Sequence, residues 1–195
     1  SITPGALKGG VQVLARHPQR NEVLIGGTDG VPAIYRMERI TKRVIGDNAN
    51  LIRKFPAMQG RIFSVDFSPD GKRIVCGASH DFNGTVSVFA SDYDSTMPAE
   101  VKKIVETVNG KGKELDDWVT KDVKLLTSTE IPGSGVYAVT FSPDGKTIAS
   151  AGADGKLRLI DVATGKIAKE FLSVPLAKKE ELAASDVIVD DTVRI

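Results

Sequence analysis

The sequence predicts an all-β chain: a partial β-propeller of three four-stranded blades, with a small α-helical hairpin inserted in the second. Three observations lead there. Short apolar or alternating runs are separated by tight-turn residues, a long segment of this kind recurs, and the largest interruption has helical periodicity.

The clearest copy spans residues 135–171, GVYAVTFSPDGKTIASAGADGKLRLIDVATGKIAKEF. Its first run alternates, with Val136, Ala138 and Thr140 expected on one face and Tyr137, Val139 and Phe141 on the other. Ser142-Pro143-Asp144-Gly145 is a turn with a mechanism: proline presets φ, aspartate bonds its own backbone, and glycine accepts positive φ. Further strands are expected over 147–151, 157–161 and 166–171, with turns at Asp154-Gly155 and Thr164-Gly165. Four short antiparallel strands in about 40 residues make one meandering sheet, the unit of a propeller.

The unit recurs. GRIFSVDFSPDGK, beginning at Gly60, matches the start of that segment nearly residue for residue, and a weaker copy begins at Gly10. In the weaker copy His17-Pro18 stands where Ser-Pro is expected, and Thr28-Asp29-Gly30 matches Ala153-Asp154-Gly155. The turn-forming set is therefore Asp29, Gly30, Asp70, Gly71, Asp144, Gly145, Asp154 and Gly155. Blades are expected at about 10–45, 60–128 and 135–172, with the last strand of the first at 41–44 and a further extended piece at 51–55. Residues 176–195 read as a linker and a strand-like tail that closes the propeller edge or opens another domain.

The insertion is residues 92–122. Pro98 and Glu100 suit a helix start, and Asn109-Gly110 suits a stop. Val101, Ile104, Val105 and Val108 form one apolar stripe, and Leu115, Trp118 and Val119 form a second. Two helices this short must pack on each other or on a blade. Trp118 reads as hairpin core or as an exposed anchor.

These copies resemble WD40 repeats. The resemblance rests on FSPDGK at Phe67 and Phe141, on the small-residue strand and Asp-Gly turn over 151–155, and on LRLID at Leu157. Tyr35-Arg36, Phe89-Ala90 and Ile160-Asp161 replace the usual Trp-Asp pair, and no Gly-His dipeptide precedes a first strand. The bracing network of many such blades therefore cannot form in full, and apolar packing must carry more of the stability. VIGDNANLIRKFPAMQGRIFSV and LARHPQRNEVLIGGTDG also resemble the WD40 regions of large bacterial c-type-cytochrome proteins. That resemblance implies a possible cytochrome domain as neighbour and leans toward the periplasm or cell envelope.

Composition bounds the rest. The chain has 195 residues, is 41% hydrophobic and carries a net charge of +1, which is enough for a sizeable core. No apolar run approaches the roughly 18 residues needed for a membrane span. Ser1 begins no signal or transit pattern, which fits a mature, intracellular or excised chain. Cys76 is the single cysteine, so no internal disulfide forms, and no Cys-x-x-Cys-His is present to attach haem.

Catalytic signals are weak. His17 is expected as an exposed turn residue, and His80-Asp81 lies in a strand connection with no nucleophile beside it. Gly26 to Gly30 joins two strands and is no phosphate loop. No cofactor or metal site is read. Through Arg61, ten basic residues face four acidic ones. Without interleaved aromatics this favours an acidic protein partner or a solvated rim over nucleic acid.

The expected function is a non-catalytic protein-interaction scaffold, the C-terminal part of a larger propeller. The alternative is a propeller domain or subunit of a cytochrome-containing redox enzyme, with its chemistry elsewhere. Expected partners are another protein or further blades from the same or another chain. Candidate contact residues are Lys102, Lys103, Lys111, Lys113 and Trp118 on the hairpin, with Arg36, Arg39 and Arg43. The hairpin is expected on the Ser-Pro-Asp-Gly side of the disc, removable without unfolding the blades.

Overall fold

Turn chemistry repeated three times divides the chain into three sheets. The computed structural model describes residues 10–38, 49–107 and 110–172. Blade one is β1 (Val11–Arg16), β2 (Glu22–Gly27), β3 (Ala33–Arg36) and β4 (Leu51–Lys54). Blade two is β5 (Arg61–Phe67), β6 (Arg73–His80), β7 (Asn83–Ala90) and β8 (Lys124–Ile131). Blade three is β9 (Val136–Phe141), β10 (Thr147–Gly152), β11 (Lys156–Asp161) and β12 (Ile167–Leu172). All neighbouring pairs are antiparallel. Between β7 and β8 stand α1 (Ala99–Val105) and α2 (Lys113–Thr120). The fold is a partial WD40-type propeller.

The strand that closes blade one is β4, so the sheet runs to Lys54. The expected strand at 41–44 lies outside the described residues, as do the tail from residue 173, Val108 and Asn109.

Strict alternation fails in every first strand, and in the same way. The β9–β10 register slips at Tyr137, the β5–β6 register at Phe63 and the β1–β2 register at Gln12. Each slip is a bulge that lets two apolar residues three apart share one face. Val136 therefore joins Val139 and Phe141 in the core, whereas Tyr137 is half exposed. The expected pairing of Tyr137 with Val139 and Phe141 is corrected by this single extra residue.

Blades join through the same triplet. Ile62, Val65 and Phe67 of blade two face blade one, and Val136, Val139 and Phe141 of blade three face blade two. All six are at most 8% exposed. Glycine makes the fit possible: a Cβ on Gly26 would lie 2.5 Å from Ile62, and one on Gly77 would lie 2.7 Å from Val136. Joint two–three adds a polar clamp along the free edge of β9. Ser79 Oγ accepts from Val136 N (2.8 Å), Ser64 Oγ from Val139 N (2.9 Å), and Asp66 Oδ2 from Phe141 N (2.9 Å).

Val101, Val105, Leu115, Trp118 and Val119 of the hairpin are buried in one cluster with Leu51, Ile52 and Phe55 of blade one. An insertion in blade two thus packs against blade one, and it is not a separable ornament.

Candidate functional site

Two ends of the disc carry candidate surfaces. At the first, the chain leaves β7 beside the Asp70-Gly71 turn: Ser91 Oγ donates to Gly71 O (3.0 Å), and Lys72 pairs with Asp92 (3.2 Å). Three blade-one arginines then grip successive carbonyls of the insertion. Arg20 donates to Tyr93 O (3.3 Å), Arg53 to Asp94 O (3.0 Å) and Arg36 to Ser95 O (2.6 Å). The Tyr93 ring lies between the Arg20 and Arg53 guanidinium groups, each 4.5 Å from its centroid. Trp118 covers Arg53 from 5.0 Å. Burial pulls Arg53 below the usual guanidinium range; burial, then nearby Glu22, pushes the Tyr93 hydroxyl up. Three of the ten basic residues read as a rim, Arg20, Arg36 and Arg53, are thus spent inside the molecule.

His17 is buried, not exposed: 2% of its surface is accessible. Its Nδ1 accepts from Gln19 N (3.0 Å) and Arg20 N (2.9 Å), and its ring meets Phe67 edge-on at 4.8 Å. Burial first, then the Arg20 charge, holds its pKa below the ordinary value. An acceptor Nδ1 is the neutral imidazole, so His17 is a joint residue between blades one and two.

The opposite end is built from the Asp-Gly turns and the connections between blades. Gly30 (φ 69°) and Gly155 (φ 70°) turn the chain. Asp29 accepts from Val31 N and Asp154 from Lys156 N, each at 3.1 Å. Asp154 also pairs with Arg158, whose Nε reaches Glu170 at 2.7 Å. The Arg158 hydrogen bond holds Asp154 down at about 2.

Blade two differs at this end. Its β6–β7 turn is Asp81-Phe82, both with positive φ (45° and 64°), where asparagine and glycine are the usual occupants. A phenylalanine held left-handed is uncommon, and this one is 90% exposed. Beside it lies an open cavity of about 710 Å³ whose lining includes Met58, Arg61, Phe63, His80, Phe82 and Tyr137. Phe63 and Tyr137 meet edge-to-face at 5.3 Å. Their bulge positions deliver them here, because a regular strand would give the place to other residues. His80 Nδ1 lies 3.3 Å from Asp81 Oδ2 on an exposed turn.

The candidate contact residues are not gathered in one place. Lys102, Lys103, Lys111 and Lys113 are exposed on the hairpin. Trp118 is 6% exposed and seats the hairpin instead. Arg36 binds Ser95, and Arg39 and Arg43 lie outside the described residues. Sequence reasoning missed Arg61, Phe63, Phe82 and Tyr137. Phe63 and Tyr137 do stand at the same offset before FSPDG, and that shared aromatic was the available signal. Among the described residues no cluster of three metal-ligating side chains occurs, and no helix is long and apolar enough to cross a membrane. Burial raises the Cys76 thiol pKa, keeping it protonated.

Residues 49–90 and 124–161 match the family model for the WD domain, G-beta repeat. Both segments are similar to WD40 repeats. Each takes the last strand of one blade and the first three of the next, so the repeat itself bridges a joint. Relatives include WD repeat-containing protein SL1-17 of Schistosoma mansoni, 25% identical over 142 residues, which cover 66% of this chain and 42% of that protein. Actin-interacting protein 1 of Drosophila melanogaster is 28% identical over 141 residues, which cover 62% of this chain and 22% of that protein. The chain therefore spans less than half the length of these curated relatives. Both are eukaryotic, so they lend no support to the expected bacterial cytochrome setting.

Proposed function

We propose that these WD40 repeats form a non-catalytic protein-interaction module whose partner surface is the Asp-Gly-turn end. The observation that carries this is Phe82: a left-handed, 90% exposed aromatic beside the Phe63–Tyr137 pair. Strained residues persist where the surroundings over-determine them, and they cluster at binding sites. Rigid aromatic anchors with an arginine nearby are the residue types that dominate binding energy at interfaces. In this reading an extended partner segment lays apolar side chains against Phe63, Tyr137 and Phe82, with an acidic group toward Arg61.

The hairpin lysines are the second surface, because all four are exposed and most of the insertion's other contacts are internal. A displayed peptide library panned against the chain separates the two. Ligands of the proposed surface should lose at least about tenfold in affinity on Phe82→Ser or Tyr137→Ser. Ligands indifferent to both, but lost on changing Lys102, Lys103, Lys111 and Lys113 to Glu, would move the site to the hairpin.

A further inference from the structure

The aromatic pair at the Asp-Gly-turn end is assembled across a joint and held there. Phe63 comes from β5 and Tyr137 from β9, so each ring is set by a different blade. Hydroxyl groups lock the backbone beside them. Ser64 Oγ accepts from Val139 N at 2.9 Å and donates to Val139 O at 3.4 Å. Ser79 Oγ accepts from Val136 N at 2.8 Å and donates to Val136 O at 3.1 Å. Gly135 completes the fit, because a Cβ there would stand 2.9 Å from Ser79 Oγ and 3.2 Å from the Tyr137 hydroxyl. A surface whose rings are already fixed gives up little entropy when a partner fills it.

The charges around the rings are not all engaged. Asp29, Arg61 and Asp81 line the same cavity. Asp29 accepts from Val31 N at 3.1 Å, and Asp81 faces His80 at 3.3 Å. Among the described residues the Arg61 guanidinium makes no hydrogen bond or ion pair, and the side chain is exposed. An open arginine fork matches a carboxylate through two parallel bonds. A phosphoryl dianion suits the place less, because two carboxylates line the cavity and no second arginine does.

Spacing adds a second constraint. Arg61 and Phe63 both line the cavity, whereas Ile62 between them is fully buried in the joint with blade one. They stand two apart on one strand, and alternate positions of an extended chain lie about 6.5–7 Å apart. An extended partner has the same period, so a carboxylate and an apolar side chain two residues apart meet Arg61 and the rings together. A helical partner would present such a pair three or four residues apart.

We infer that the partner of this surface is an extended acidic peptide segment carrying a carboxylate two residues from a large apolar side chain. Arg61 reads the carboxylate, and Phe63 and Tyr137 take the apolar group. This rests on the interaction-module reading above and adds the residue that sets its specificity: Arg61 selects the charge, and the rings carry most of the affinity.

Panning one library of random displayed peptides against wild type and against Arg61→Glu tests this. Arg61 is exposed, so both chains should give the same circular dichroism; Arg61→Gln serves as a second, uncharged variant. Among wild-type ligands that weaken on Phe82→Ser or Tyr137→Ser, Asp or Glu should be enriched two residues from a Leu, Ile or Phe. At that same position the Arg61→Glu selection should enrich Lys or Arg instead. Wild-type ligands should bind Arg61→Gln about three- to tenfold more weakly, and high salt should narrow that gap. Ring-dependent ligands with no acidic preference at this spacing, or with the same preference on both chains, overturn the inference and leave the interaction surface standing. Acidic residues enriched three or four positions from the apolar one overturn it too, in favour of a helical partner. Ligands indifferent to Phe82 and Tyr137 overturn the surface itself, and this inference with it.

Discussion

The Tyr93 hydroxyl donates to Glu22 Oε2 at 2.8 Å, tying the mouth of the helical insertion to the second strand of blade one. Glu22 is 3% exposed, and its same oxygen accepts from Arg20 Nε at 3.0 Å. A buried carboxylate deprived of one donor carries a desolvation cost with less return. Tyr93→Phe should therefore lower stability by about 1–3 kcal/mol while leaving the ring between its two arginines. Denaturant unfolding of the single variant checks this. A change near zero would mean that water replaces the phenol at no cost.

Deleting residues 96–120 and closing the gap with a short Gly-Ser turn is a harsher test of the same relationship. It removes Val101, Val105, Leu115, Trp118 and Val119 from the cluster that also holds Leu51, Ile52 and Phe55. Each fully buried apolar side chain is worth about 1.5–3 kcal/mol relative to exposure, so the loss rivals the whole stability of a domain. The expected result is unfolding or a molten blade one, read by the loss of hydrogen-exchange protection in β3 and β4.

What was legible in the sequence was local. Turns such as 142–145 announce themselves because proline, aspartate and glycine act within four residues, and Asp144 does accept from Lys146 N at 3.0 Å. The hairpin stripes were legible for the same reason. The partner of those stripes was not, since nothing in residues 99–120 names Leu51 or Ile52 as the surface they cover. The bulges were hidden too: one extra residue in β9 moves Val136 inward and turns Tyr137 out, and alternation alone cannot count it. His17 looked like an exposed turn residue because its burial depends on Phe67 and Gly71, some fifty positions away.

Glycines separate local strain from joint packing. Gly155 has φ 70° and open space where a Cβ would stand, so Gly155→Ala should cost about 1–2 kcal/mol, from backbone strain. Gly71 has nearly the same φ, 71°, but a Cβ there would stand 2.4 Å from the His17 ring. Gly71→Ala should cost about twice as much, and the excess should shrink in a His17→Ser background. Equal costs for the two glycines, measured by thermal unfolding, would show that joint one–two yields without resistance.

His17 also sets a pH dependence. Its folded pKa is lowered, first by burial, so the unfolded state binds the proton more readily. Stability then rises with pH wherever the unfolded state holds more protons. The His17 contribution should be complete above the ordinary value of 6.5 and decline as pH falls below it toward the folded pKa. His17→Asn keeps an acceptor for the Gln19 and Arg20 amides without a group that titrates in this range, and it should flatten that slope. Parallel stability–pH curves for the two proteins between pH 7 and 5 would sink the assignment.

Phe82 should show the opposite balance of stability and function. Positive φ costs a bulky residue about 1–2 kcal/mol that glycine does not incur, and at 90% exposure the ring returns little packing. Phe82→Gly should therefore raise stability, offset in part by the greater freedom of glycine in the unfolded chain, for a net gain of about 0.5–1 kcal/mol. If the exposed ring is a binding anchor, the same change should remove about tenfold or more of the affinity for any ligand selected on that surface. Melting temperature and peptide affinity, measured on one preparation, give both numbers. A variant that is more stable and still binds with unchanged affinity would leave the strain at Asp81-Phe82 without a use, and the partner surface would have to be sought on the hairpin lysines.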